Sequence, residues 1–172
     1  IYSRLAAAAA VDSQPAKAAE LAMQGLAKFP ENGDLVLTAS QAYRAAGQTQ
    51  KAIEVIDQAA ARNPKIPNLY STQARLFADL GQHDRALQSL QNAVAQGDSA
   101  QTVALYAVGI GQQAQRAATA RKKPEDYELA LRYLDFANKT AKTPEGQFLQ
   151  GATALSYGQS RLLEAQSLSK AA

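Results

Sequence analysis

The sequence predicts an all-α protein, a right-handed solenoid of about four helical hairpins with one extended hairpin and a long C-terminal helix. Three observations carry this. Gly47-Gln48-Thr49 leads into Lys51-Ala52-Ile53, and 34 residues later Gly81-Gln82-His83 leads into Arg85-Ala86-Leu87. Self-similarity at such a period marks stacked helix pairs. Apolar residues make up 47% of the 172-residue chain but aromatics only 6%, with no Trp and one Met, so alanine and leucine, both strong helix formers, carry the apolar content. The β-branched runs with period-two alternation that a sheet needs are missing. The length suits a single domain, residues 1–172.

The elements follow in order. Alanine-rich residues 2–11 are the end of a first helix, and residues 14–29 are its partner, so a partial repeat occupies about 1–32. The first full repeat, 33–66, places Val36, Ala39, Ser40 and Tyr43 on its first helix and Ala52, Ile56 and Ala59 on its second, and closes at Pro64. The second, 67–100, matches it with Tyr70, Gln73, Ala74 and Phe77, then Ala86, Leu90 and Ala93, with Asp98 where the proline would fall. Spacings of three and four put four residues of each first helix on one face, which predicts that this face is buried. Gly47 and Gly81 end the first helices because glycine tolerates the left-handed C-cap conformation. Thr49 and Asp84 are the expected N-caps of the second helices.

The third unit, 101–144, departs from the pattern. Ala104, Ala107, Val108 and Gly111 keep the first-helix register, but the small pair Ala130 and Ala137 arrives roughly 10 residues late. The expected form is a helix of about 21 residues, then an insertion tip, then a helix whose first turn holds Pro124. The last unit, 145–172, opens at Pro144-Glu145 with Phe148, Gly151, Ala152 and Leu155 in the buried-face register. It is expected to run on through Gly158 as one capping helix, because no proline intervenes.

The pattern of a large residue at position 4, small residues at 8, 20 and 27, an aromatic at 11 and a proline near 32 resembles the tetratricopeptide repeat family. The resemblance covers two full repeats and partial ones on either side. It implies a scaffold that binds proteins, with first-helix positions 2, 5, 9 and 12 facing a concave groove. Here these are Asp34, Leu37, Gln41 and Arg44, then Asn68, Ser71, Arg75 and Ala78, then Thr102, Leu105, Gly109 and Gln112. Such a groove takes an extended peptide or a partner helix. Arg44 and Arg75, on neighbouring helices, are placed to fork onto a carboxylate or backbone carbonyls. The carboxylate clamp of the family wants Lys and Asn at positions 5 and 9 of the first repeat. Leu37 and Gln41 stand there, so that activity is not implied.

Other chemistry is poorly supplied. Without cysteine there is no disulfide, thiolate ligand or thiol nucleophile, and one histidine, His83, does not make a metal site. Val108-Gly109-Ile110-Gly111 lacks the preceding strand and the third glycine of a dinucleotide fingerprint, so its glycines serve close helix packing. No G-x-S-x-G appears, and the sequon at Asn138 falls on a helix. These absences point away from an enzyme and from any cofactor. No apolar run reaches about 18 residues, so no membrane-spanning helix is expected. The lack of cysteine and the start on Ile1 favour an exported or periplasmic bacterial chain, part of a larger protein.

The net charge of +3 arises wholly in residues 101–172, which hold nine Lys/Arg against six Asp/Glu. Arg116, Arg121, Lys122 and Lys123 form a possible anion patch, or simply a helix C-terminus favoured by its dipole. Nucleic acid is disfavoured, since no aromatics interleave the cluster. Self-association through the long third and fourth first-helices is the alternative to a foreign protein partner.

Overall fold

Glycine and proline punctuation divides the chain into nine α-helices among the described residues. They are α1 (Tyr2–Val11), α2 (Pro15–Lys28), α3 (Gly33–Ala45), α4 (Thr49–Arg62), α5 (Leu69–Asp79), α6 (His83–Ala95), α7 (Ala100–Arg121), α8 (Pro124–Thr140) and α9 (Pro144–Ala171). The computed structural model describes residues 1–121 and 123–171, the side chains of Ser167, Lys170 and Ala171 apart. Lys122 of the candidate anion patch lies outside the described residues. Contacts divide the chain into two compact units, Ile1–Asp98 and Ser99–Ala172. The fold is an all-α helical repeat fold, as the 34-residue period predicts.

In the first unit, α1/α2, α3/α4 and α5/α6 are successive hairpins. Gly47, at φ 74°, closes α3: its N–H donates to the Arg44 carbonyl at 3.0 Å, and the Gln48 N–H donates to the Tyr43 carbonyl at 2.8 Å. This is the Schellman arrangement, which satisfies carbonyls left over at a helix end. Gly81, at φ 71°, repeats it with Ala78 and Phe77. Gln48 and Gln82 close one helix and are also the N-caps of the next. The expected caps Thr49 and Asp84 are therefore corrected: the turn is so tight that both already lie inside the helix they were to cap. Ser13 makes the same closure at the end of α1, although its φ of 57° is left-handed and it carries a Cβ.

Small residues seven apart are buried where paired helices cross: Ala18 and Gly25 on α2, Ala52 and Ala59 on α4, Ala86 and Ala93 on α6. Ile56 and Leu90 fill the space between them. The first-helix faces are buried as predicted at Val36, Ala39, Ser40, Gln73, Ala74 and Phe77, with Tyr43 and Tyr70 half-buried. Each aromatic at the repeat's eleventh position lies under a cation from its own hairpin, Lys51 over Tyr43 at 5.9 Å and Arg85 over Phe77 at 4.0 Å. The one amide on these faces is satisfied. Gln73 donates to Asp57 at 2.6 Å and accepts from the Ser89 hydroxyl at 2.8 Å, so α4, α5 and α6 share one polar network. Asp98, in the place of the expected proline, accepts the Asn68 N–H at 3.1 Å and ties the end of α6 to the start of α5.

In the second unit α7 and α8 pair along their length. Ala130 and Ala137 are buried as expected, and Gly111 lets the helices approach until a Cβ there would lie 3.0 Å from Leu134. Pro124 occupies the first turn of α8. The last helix is one rod that passes Gly158 without a break. The predicted burial of Phe148, Gly151 and Leu155 is not observed: all three are exposed, Phe148 at 75% and Leu155 at 72%. Because α9 does not fold back, no second helix covers that face among the described residues, and the helix instead buries Gly146 and Thr153 toward α8.

The two kinds of left-handed turn residue predict opposite effects. Ser13→Gly relieves the strained conformation and raises the unfolding free energy by about 0.5–1 kcal/mol, whereas Gly81→Ala lowers it by about 1 kcal/mol. Urea titrations monitored by circular dichroism check both.

Candidate functional site

The groove residues of the first unit meet different fates. Gln41 is exposed and Leu37 half-buried on α3. Arg44, at the end of the same helix, forks onto Asp79 at the end of α5: its Nε donates to Oδ2, and its Nη2 donates to Oδ1 at 3.3 Å. The hydrogen bond that Arg44 donates to Asp79 raises the guanidinium pKa above its ordinary value, against a smaller lowering by burial. The bidentate geometry proposed for a partner's carboxylate is thus used inside the chain, binding one first-helix to the next. Arg75 is exposed on α5. Asn68 stands in the left-handed N-cap position of α5, and its backbone serves Asp98. Ser71 is fully buried, so it belongs to the packed joint and not to an open surface.

What lies open on this side is a trough between α1 and α3, of about 610 Å³. Ala7, Ala10, Ala42 and Ala45 make its walls, Thr38 and Gln41 stand beside them, and Ser13 and Pro15 close one end. Only Gln41 of these was expected. The sequence carries no signal for the rest: Ala7, Ala8 and Ala10 are all exposed members of the alanine run 6–10, and nothing in the run singles out Ala7 and Ala10.

In the second unit Leu105 is 49% exposed and Gln112 half-buried on α7. Arg116, Arg121 and Lys123 are exposed, but acids from the first turn of α8 stand among them. Arg121 reaches Asp126 at 3.8 Å, and Lys123 shares the wall of an open cavity of about 830 Å³ with Glu125 and Glu164. The cluster is therefore of mixed sign. That cavity is built by the insertion: Thr119, Lys123, Pro124 and Glu125 meet Ser156, Ser160 and Leu163 of α9. Beside it Tyr157 donates to Glu128 at 2.5 Å, which pushes the phenol pKa up, since ionisation would set two anions together. His83 is half-buried at the first residue of α6. Among the described residues no group of three His, Asp or Glu gathers to hold a metal, and no helix is long and apolar enough to cross a membrane.

The family model described as tetratricopeptide repeat matches residues 12–76, the stretch holding α2, α3, α4 and most of α5. None of the curated proteins matches the chain. Among solved structures it is similar to nearly identical TPR-like repeats of a kinesin light chain from Podosopora anserina, at 21% identity and TM-score 0.59, over 98% of this chain and 90% of that one. It is also similar to the MamA protein, at 18% identity and TM-score 0.55, over 99% of this chain and 93% of that one. These likenesses concern the fold.

A double-mutant cycle tests the Arg44–Asp79 fork. Arg44→Ala and Asp79→Ala are expected to show a coupling of about 0.5–1 kcal/mol in urea unfolding, reduced at high salt as befits a half-exposed pair.

Proposed function

We propose that the chain, whose residues 12–76 match the tetratricopeptide repeat model, is a non-enzymatic protein-interaction scaffold that receives an extended peptide or a partner helix in the α1/α3 trough. Repeats of this family serve generally as interaction scaffolds. The observation that carries the finer reading is the trough itself. Its volume of about 610 Å³ falls within the range of ligand-sized clefts, and its walls are methyl groups set on two rigid helices. Alanine walls let a ligand backbone come close, while Gln41 and Thr38 supply hydrogen-bonding groups at the edge. Helix-borne sites of this kind need little reordering on binding, which favours a peptide that brings its own side chains. Gln41 retains the groove role that the repeat pattern gives it. The Arg44–Asp79 fork acts as a brace, holding α3, one wall of the trough, against α5.

The test is selection of peptides from a displayed library against the whole chain, followed by titration of the winners. Ala10→Trp with Ala45→Trp changes two exposed positions and fills the trough, so binding should weaken at least about tenfold, roughly 1.4 kcal/mol. Arg116→Glu on α7 should leave it unchanged. Equal binding by the wild type and the tryptophan variant refutes the assignment.

A further inference from the structure

One side of α9 carries exposed apolar residues that the trough does not explain. Phe148, Leu155 and Leu162 recur every seven residues and are 75%, 72% and 60% exposed. Three residues after each comes a small one: Gly151, Gly158 and Ala165. At 3.6 residues per turn this stripe lies roughly opposite the buried Gly146 and Thr153, so it faces away from α8. Glycine inside a helix weakens it relative to alanine. Yet a Cβ on Gly151 or Gly158 would meet nothing within 4 Å, so no close approach within the chain accounts for either.

We propose that this face pairs antiparallel with the same face of a second copy of the chain. Setting Leu155 against the partner's Gly158 puts Leu162 against the partner's Gly151 and Phe148 against the partner's Ala165. The two-fold axis repeats each contact, so every large side chain enters a gap left by a small one. A parallel, in-register pair does the opposite: large residues collide and glycines face glycines across a void. The seam is bordered by glutamines and alanines with one charge, Arg161, which already pairs with Glu164 at 3.2 Å. In the antiparallel register Arg161 falls opposite the partner's Ala152, so no like charges meet. The contact runs about 25 Å along the helix. Two such faces together remove on the order of 1,000 Å² from solvent, the lower bound of a specific dimer, which suits micromolar affinity. The inference does not rest on the trough between α1 and α3.

The experiment is sedimentation equilibrium of the full chain from about 1 to about 200 µM. A monomer–dimer equilibrium is expected, with dissociation weakened at least about tenfold by Leu155→Glu. Gly158→Leu is the discriminating variant. It favours the helix and adds apolar surface, so indiscriminate stickiness would strengthen association, whereas the proposed seam is blocked by it. Because the chain has no cysteine, Glu145→Cys gives a single spin-label site. The two labels should lie about 35 Å apart in the antiparallel dimer, against roughly 10 Å in a parallel one. A wild-type chain that stays monomeric overturns the proposal and leaves the face to a foreign helix. Dimerisation undiminished in Gly158→Leu, or a short label distance, overturns it as well.

Discussion

The residue where two helices of a hairpin cross decides everything else in this fold. Ala18, Gly25, Ala52, Ala59, Ala86, Ala93, Ala130 and Ala137 are all buried, in pairs seven apart. Two contacts at two-turn spacing hold helices nearly side by side, and a side chain of one carbon or none allows backbones to approach closely. Alanine buries little apolar area, so such a contact contributes little by itself. The fold compensates by repeating it and by lodging a large residue, Ile56, Leu90 or Leu134, beside three of the four crossings. The polar network of Asp57, Gln73 and Ser89 enters the same interior fully hydrogen-bonded at its centre. Any partly satisfied version would leave a buried amide without partners.

This is why so much of the fold can be read from the sequence. A small residue at a crossing has a fixed place in a fixed period, and the Gly47 and Gly81 turns announce the ends of the helices between. The long α7, the placement of Pro124 and the unbroken α9 follow from the same register. The misreadings have a common origin, in that pattern gives the face of a residue but not what stands against it. Phe148 and Leu155 have the spacing of a buried face, and whether a covering helix exists depends on whether the chain turns at Gly158. Thr49 and Asp84 have capping chemistry, but the width of the turn decides which residue takes the cap.

The candidate site was less legible for a related reason. Groove positions in a repeat are defined by direction, and direction leaves open whether a side chain meets solvent or a neighbour. Arg44 points where it should, yet Asp79, 35 residues away, has an accepting carboxylate within reach. Ser71 shares its repeat position with Leu37 and is sealed. The alanine walls of the trough carry no chemical signature at all, since exposed alanine on a helix looks like filler. Surfaces built from shape are harder to find in a sequence than surfaces built from charge.

The glutamine shared between neighbouring helices carries one more implication. A turn in which Gln48 or Gln82 belongs to both helices has no slack. Such a joint cannot absorb an added residue, and a hairpin that must lengthen can do so only by extending both of its rods together. The α7/α8 hairpin has this form, with α7 at 22 residues and α8 at 17. New surface in this architecture therefore comes from lengthening a pair of rods rather than a loop. The cavity at the α7–α8 tip belongs to such a lengthened pair, walled by the first turn of α8 and by α9, so its lining can change without altering the turn that joins the two rods.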